Sequence, residues 1–258
     1  MNRIRGKLVL ITGASSGIGA ACARRFAAEG AGLVLWARRL ERLEALAAEL
    51  RETADVGVQV ERVDVRDREA VFRAADGLVR AGHVPDVLIN NAGLASGLSY
   101  LHEGDPDDWD RMIDTNIKGL LNVSRAILPH MVARNRGHVV NLGSIAGHWT
   151  YPKGNVYNAT KYAVRALTEG LNQDLLGTAV RVSSVDPGLV ETEFAQVRFH
   201  GDLERARQTY RGMTPLSADD IADIVAYVVN LPDHVNVLDV VVMPTAQRSV
   251  HLVHRKEP

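Results

Sequence analysis

A short apolar run, Lys7-Leu8-Val9-Leu10-Ile11, passes straight into Thr12-Gly13-Ala14-Ser15-Ser16-Gly17-Ile18-Gly19. An alanine-rich stretch from Ala20 to Glu29 follows, with Gly30 behind it. The run reads as a buried strand and the stretch as a helix with a glycine stop. A strand that turns into a helix through three glycines leaves few solutions. Gly13 permits the sharp turn, Gly17 lets the backbone come close to a pyrophosphate, and Gly19 lets the helix pack tightly on its sheet. The helix start offers unpaired N–H groups and the positive end of its dipole, so the loop, with Ser15, Ser16 and Ile18, is assigned to an anionic cofactor. The spacing is Gly-x-x-x-Gly-x-Gly and not the commoner Gly-x-Gly-x-x-Gly. A plain strand–helix turn also needs small residues, and it is the strand before and the helix after that favour a dinucleotide.

The alternation continues through the chain. Strand candidates lie at 32–37, 58–63, 84–89, 137–142, 180–185 and 235–242, with helical patterns near 39–53, 67–81, 106–134, 156–176 and 218–231. Such alternation implies a single α/β domain: a Rossmann-type, doubly wound parallel sheet of about seven strands flanked by helices. Ligands then sit beyond the carboxyl ends of the strands. Gly13, Asn91, Ser144 and Pro187 each fall just after a predicted strand and converge on that edge.

The second strand, Gly32 to Ala37, ends where an NAD site carries an acidic acceptor for the ribose 2′-hydroxyl. Here Ala37 is followed by Arg38 and Arg39. An arginine at this place can grip a 2′-phosphate through its planar fork, so NADP is expected over NAD, with Ser15 as a further donor. The two arginines could also simply open the exposed face of the next helix, among Glu41, Arg42 and Glu44.

Tyr157 and Lys161 stand four apart in Gly154-Asn155-Val156-Tyr157-Asn158-Ala159-Thr160-Lys161, with Ser144 upstream. Four residues put both on one helix face. A phenol titrates near ~10, and a nearby ammonium lowers that value, so Tyr157 is expected to act as a tuned acid/base with Ser144 bonded to the same substrate oxygen. Many helices carry a Tyr and a Lys at this spacing; the glycine loop at the other end of the chain gives the pair its weight.

These motifs together resemble the short-chain dehydrogenase/reductase superfamily over nearly the whole chain. The resemblance implies several further roles. Asn91, Ala92 and Gly93 line the adenosine side, and Asp64-Val65 faces the adenine. Asn116 lies at a helix distortion that anchors a proton-relay water, which makes the catalytic set Asn116, Ser144, Tyr157 and Lys161. The segment from Asp186 through Pro187, Gly188, Val190 and Thr192 contacts the nicotinamide. Within the superfamily, Ile113 to Leu120, Gly154 to Tyr157, Asp186 to Phe194, Met243 to Gln247 and the tail His251 to Arg255 resemble one branch, the NADP-dependent 3-hydroxy acid (serine or allo-threonine) dehydrogenases. Lys153 and Trp149-Thr150-Tyr151 depart from that branch. The resemblance also implies a homotetramer, with the 106–134 helix and the Tyr157 helix in one interface and the last strand and tail in another.

Composition narrows the partners. A net charge of −1 argues against a nucleic-acid or membrane surface. One cysteine, Cys22, within an alanine-rich helix fits a reducing compartment, and Met1 to Gly6 leads directly into the first strand, which points to a chain without a signal peptide. A cytoplasmic enzyme is expected. The nine histidines show no metal-ligand spacing, and Asp105, Asp107, Asp108 and Asp110 suit a helix start. The irregular stretch 191–215 is expected to be a substrate lid. The expected activity interconverts a hydroxyl and a carbonyl on a small 3-hydroxy acid such as serine, allo-threonine or 3-hydroxyisobutyrate. A carbonyl reductase for an aldehyde or ketone would use the same machinery. A non-catalytic NADP(H)-sensing protein would need no proton relay. Arg198, Lys153 and Arg255 are candidates to hold a substrate carboxylate.

Overall fold

The computed structural model describes residues 2–256; Met1, Glu257 and Pro258, which the single-domain reading included, lie outside the described residues. Seven parallel strands form one sheet in the order β3-β2-β1-β4-β5-β6-β7. They are β1 Leu8–Thr12, β2 Gly32–Ala37, β3 Val58–Arg62, β4 Val87–Asn90, β5 Gly137–Leu142, β6 Val180–Pro187 and β7 Asp239–Val242. The inner strands β1, β2 and β4 bury both faces, which is why they read as apolar runs, while the edge strands β3 and β7 stay partly exposed. Val9 and Ile11 enter one core with Leu33 and Leu35, while Leu10 enters the other with Val34 and Trp36. The first core is closed by α1 (Gly17–Ala28), α2 (Leu40–Thr53) and α9 (Ala218–Val229), the second by α3 (Arg68–Arg80) and α5 (Leu120–Ala133).

Three differences from the sequence reading have physical causes. The predicted 106–134 helix is α4 (Pro106–Ile113), a π-helical stretch (Asp114–Gly119) and α5. That stretch turns Thr115, Asn116 and Gly119 into the protein together. β7 starts at Asp239 rather than 235, because Val235 N–H turns back to Pro232 O and the Asn236 side chain takes the Val182 N–H at 3.2 Å. β4 starts at Val87, because the Asp86 carboxylate accepts the Leu8 N–H at 2.8 Å and pairs with Arg136 at 2.7 Å. The 191–215 stretch holds two short helices, α7 (Phe194–Arg198) and α8 (Leu203–Gln208).

Between β1 and β4 the chain reverses its direction of travel across the sheet. Loops on either side of that reversal diverge and open a crevice. Gly13 and Asn91 sit on its two lips: Asn91 Nδ2 donates to Thr12 O (2.9 Å) and Gly13 O (3.2 Å). No helix of the described residues is long and apolar enough to cross a membrane.

Candidate active site

A cavity of about 570 Å³ opens at the carboxyl edge of the sheet. It gathers almost every residue the sequence nominated: Gly13, Ser15, Ser16, Gly17 and Ile18 from the first loop; Arg38 and Arg39; Asp64 and Val65; Asn91, Ala92 and Gly93; Ser144, Tyr157 and Lys161; and Pro187, Gly188, Val190 and Thr192. Gly19 and Asn116 stand behind the wall. A Cβ on Gly19 would fall 2.5 Å from Asn91 Nδ2 and from Gly13 O, so its role is close packing of α1. The Asn116 side chain is fully used: Leu94 N–H donates to its Oδ1 at 2.8 Å, and its Nδ2 donates to Leu94 O at 2.8 Å and Thr160 Oγ1 at 3.0 Å.

The loop end of the cavity fits a dinucleotide phosphate. Gly13 and Gly17 adopt φ of +66° and +52°, which glycine enters without strain. Ser16 is the N-cap of α1 but gives it no side-chain cap, so the first-turn amides open onto the cavity uncapped. Arg39 donates to Ser15 Oγ (Nε 3.2 Å, Nη2 3.1 Å) and to Ser16 Oγ (2.7 Å), and it pairs with Glu193 at 3.0 Å. Glu193 also takes Arg42 at 2.6 Å, which with Arg39 holds its carboxyl below the usual range against the effect of burial. Asp64 is held low as well: burial opposes its charge, but Arg66 outweighs it through a fork at 2.6 Å.

At the other end, α6 (Asn155–Asp174) presents Tyr157 and Lys161 on one face, both buried. Lys161 Nζ donates to Leu142 O at 2.8 Å and lies 6.0 Å from the Tyr157 ring centroid. Burial pulls the ammonium down from 10.5 to about 8, with Asp186 opposing. Burial also drives the Tyr157 phenol above its ordinary range; Tyr151 and Asp186 add to the rise, while the Ser144 hydrogen bond and Arg198 oppose it. The lowering expected from the sequence is not supplied by the protein's own groups: burial of the phenol outweighs an ammonium 6.0 Å from the ring centroid. Ser144 starts a short 3-10 turn, its Oγ accepting the Ala146 N–H at 3.1 Å.

Several cavity residues were not nominated as cofactor or catalytic groups. Phe194 packs edge-on against Tyr157 with ring centroids 5.6 Å apart. The Arg198 guanidinium lies 5.6 Å from the Tyr157 ring and 5.4 Å from the Tyr151 ring. Its Nη2 is buried without a hydrogen-bond partner among the described residues. Of the three carboxylate candidates only Arg198 lines the cavity. Lys153 lies over the exposed Tyr100 ring, and Arg255 is spent on Arg211 O and Thr209 O. Local sequence offers no signal for Glu193 meeting Arg39, since 154 residues separate them.

Two acidic groups differ from expectation. Asp105 does cap α4, accepting the Asp107 N–H at 2.9 Å, but Asp108 is buried, takes the Ser96 hydroxyl at 2.5 Å and meets His200 at 3.2 Å. One histidine, His148, meets Asp186 and Asp239, residues far apart in sequence, its Nε2 bonding Asp186 Oδ2 at 2.5 Å and lying 3.7 Å from Asp239. Burial first, then Asp186, raises the Asp239 carboxyl.

The family described as short chain dehydrogenase matches residues 7–202. The chain belongs to the short-chain dehydrogenase family. An NADP-dependent 3-hydroxy acid dehydrogenase from Salmonella typhi is 49% identical over 250 residues, covering 96% of this chain and 99% of that protein. A sulfoacetaldehyde reductase from Chromohalobacter salexigens is 49% identical over 241 residues, covering 93% of this chain and 95% of that one. The closed form of a serine dehydrogenase complexed with NADP+ superimposes with a TM-score of 0.90 at 44% identity, covering 96% of this chain and all of the other.

Proposed function

We propose that this short-chain dehydrogenase is an NADP-dependent oxidoreductase that interconverts a hydroxyl and a carbonyl on a small 3-hydroxy acid, with Tyr157 as acid/base. The loop residues Gly13, Ser15, Ser16, Gly17 and Ile18 and the α1 amides hold the pyrophosphate. Gly19 lets α1 approach them. Arg38 and Arg39 hold the 2′-phosphate, and Ala37 leaves no acceptor for an unphosphorylated ribose. Asp64 and Val65 border the adenine, Asn91, Ala92 and Gly93 the adenosine side, and Pro187, Gly188, Val190 and Thr192 the nicotinamide. NADP supplies the hydride acceptor and, when oxidised, a positively charged ring. That charge and the Lys161 ammonium favour the phenolate, against the burial that raises Tyr157. Ser144 holds the reacting substrate oxygen beside Tyr157. Lys161 bonds the nicotinamide ribose, and Asn116 keeps the Leu94 segment and Thr160 in register for proton relay.

Arg198 carries the choice of an acidic substrate. A buried guanidinium nitrogen without a partner, beside the reactive phenol, wants an anion. The 3-hydroxy acid dehydrogenase and serine dehydrogenase relatives support a carboxylate. A second reading has its own support: the sulfoacetaldehyde reductase is as similar, and a planar guanidinium suits a sulfonate equally well. The same machinery would then act as a carbonyl reductase. Residues 191–215 form the lid in this proposal, supported by the Phe194 and Arg198 contacts with Tyr157 and by the bond from Tyr210 to Val190 O at 2.8 Å.

We also propose a cytoplasmic homotetramer. The unpaired edge of β7 with Val241 40% exposed, and Leu121 and Tyr162 exposed on α5 and α6, support the two interfaces. Light scattering reports the mass. The deciding experiment is a panel of serine, allo-threonine and 3-hydroxyisobutyrate with NADP, and sulfoacetaldehyde and neutral aldehydes with NADPH, in wild type and Arg198→Ala. Loss of a charge-assisted pair worth about 1.5–3 kcal/mol should raise KM roughly ten- to a hundredfold for the anionic substrates alone. Equal efficiency on neutral and acidic substrates would refute the acid reading.

A further inference from the structure

We propose that Glu193 is a resident counter-ion that competes with the cofactor's 2′-phosphate for Arg39, so that it sets cofactor selectivity and signals 2′-phosphate binding to the substrate end of the cavity. This rests on the NADP reading above.

Arg39 is not free to receive an anion. Its Nη1 pairs with Glu193 at 3.0 Å while its other edge donates to Ser15 and Ser16, so the guanidinium is already engaged on both sides. Arg38, also on the cavity, forms no side-chain hydrogen bond or ion pair with the described residues. A 2′-phosphate thus meets one open cation and one occupied by a carboxylate. The occupying pair is weak cement: the Arg39 and Glu193 side chains remain 39% and 37% exposed, where an ion pair adds little to stability. It is exchangeable. A phosphate monoester carries about twice the charge of a carboxylate and replaces it on Arg39. Glu193 keeps Arg42, which it already holds through its other oxygen at 2.6 Å.

Glu193 is also the N-cap of α7. The first residue of α7, Phe194, packs on the Tyr157 ring, and its last, Arg198, lies over the same ring. A shift of Glu193 from Arg39 toward Arg42 therefore re-seats a helix that reaches both the phosphate end and the reactive phenol. A cofactor without the phosphate leaves Glu193 where it is.

The test is titration calorimetry with adenosine 2′,5′-bisphosphate and adenosine 5′-monophosphate, on wild type and Glu193→Gln. The NADP reading requires wild type to prefer the bisphosphate; if it does not, that reading fails before Glu193 is at issue. With the preference in place, Glu193→Gln should tighten the bisphosphate about five- to thirtyfold, change the monophosphate less than twofold, and lose the gain in high salt. Unchanged or weakened bisphosphate affinity overturns the competition. Amide exchange across Phe194 to Arg198 is the second readout. It should respond in wild type to the bisphosphate and not to the monophosphate, and in Glu193→Gln to neither. A wild-type helix indifferent to the bisphosphate overturns the coupling.

Discussion

Lys161→Met should stabilise the fold while destroying activity, and by an amount that depends on pH. Burial lowers the Lys161 ammonium from 10.5 to about 8. Below pH 8 both folded and unfolded chains carry the proton, and the folded state bears the whole burden of a buried charge, about 3 kcal/mol. Between 8 and 10.5 the folded state sheds the proton first, and the burden fades to about 1 kcal/mol at pH 10. Methionine removes the burden but leaves Leu142 O without the donor it has at 2.8 Å, a loss of about 1 kcal/mol. The net gain is about 2 kcal/mol at pH 7 and close to zero at pH 10. For a chain of this length that is roughly 4–8 °C in Tm at pH 7. Paired thermal or urea unfolding of wild type and variant at the two pH values, without cofactor, measures it. Other lysines and tyrosines titrate in both proteins and cancel in the difference. An equal shift at pH 7 and pH 10, or a destabilisation at pH 7, would refute the claim that Lys161 is held against its preferred charge state.

Tyr157→Phe should abolish turnover and leave NADP binding nearly intact, measured by nucleotide fluorescence beside steady-state rates; wild-type activity in that variant removes the phenol from the mechanism. Ala37→Asp with Arg38→Leu should reverse the cofactor preference in kcat/KM, because the carboxylate repels the phosphate and accepts from a free ribose hydroxyl; an unchanged preference places the discrimination elsewhere. Burial raises the Tyr157 phenol, so alcohol oxidation, which needs it deprotonated, should quicken as pH rises, and carbonyl reduction should quicken as pH falls. A flat oxidation profile from about pH 6 to 10, with chemistry limiting, contradicts a titrating phenol.

The inner strands β1 and β2 were legible because they are buried on both faces and carry almost no polar residue, as in Leu33 to Trp36. The phosphate loop was legible because its function is written in backbone conformation, and positive φ at Gly13 and Gly17 demands a residue type. Periodicity failed at Asp114 to Gly119, since one π turn rotates the following face without any change in composition. It failed at residues 235–238, where the side chain of Asn236 replaces a strand partner. The upward push on the Tyr157 phenol was not legible, because spacing on a helix fixes which residues share a face and says nothing about how deeply the ring is buried.

The two ends of the cavity differ in how they are encoded, and that difference explains what a sequence can disclose here. The cofactor end is built from strand termini, so its residues are locked to the register of the sheet and appear at fixed places after each apolar run. The Tyr157 end also takes in α7, which is placed by the Glu193–Arg39 pair at its N-cap and by the contacts of Phe194 and Arg198 with the Tyr157 ring. Arg198 could be nominated as a cation but not aimed, because its direction comes from Gly97 O at 3.3 Å and the rings of Tyr151 and Tyr157. An element held by such exchangeable contacts is the one able to respond to what binds. Selectivity for a carboxylate or a sulfonate is therefore expected to follow substitutions within Phe194 to Arg198 and the Tyr151 wall, while substitutions along the strand ends alter catalysis for every substrate alike.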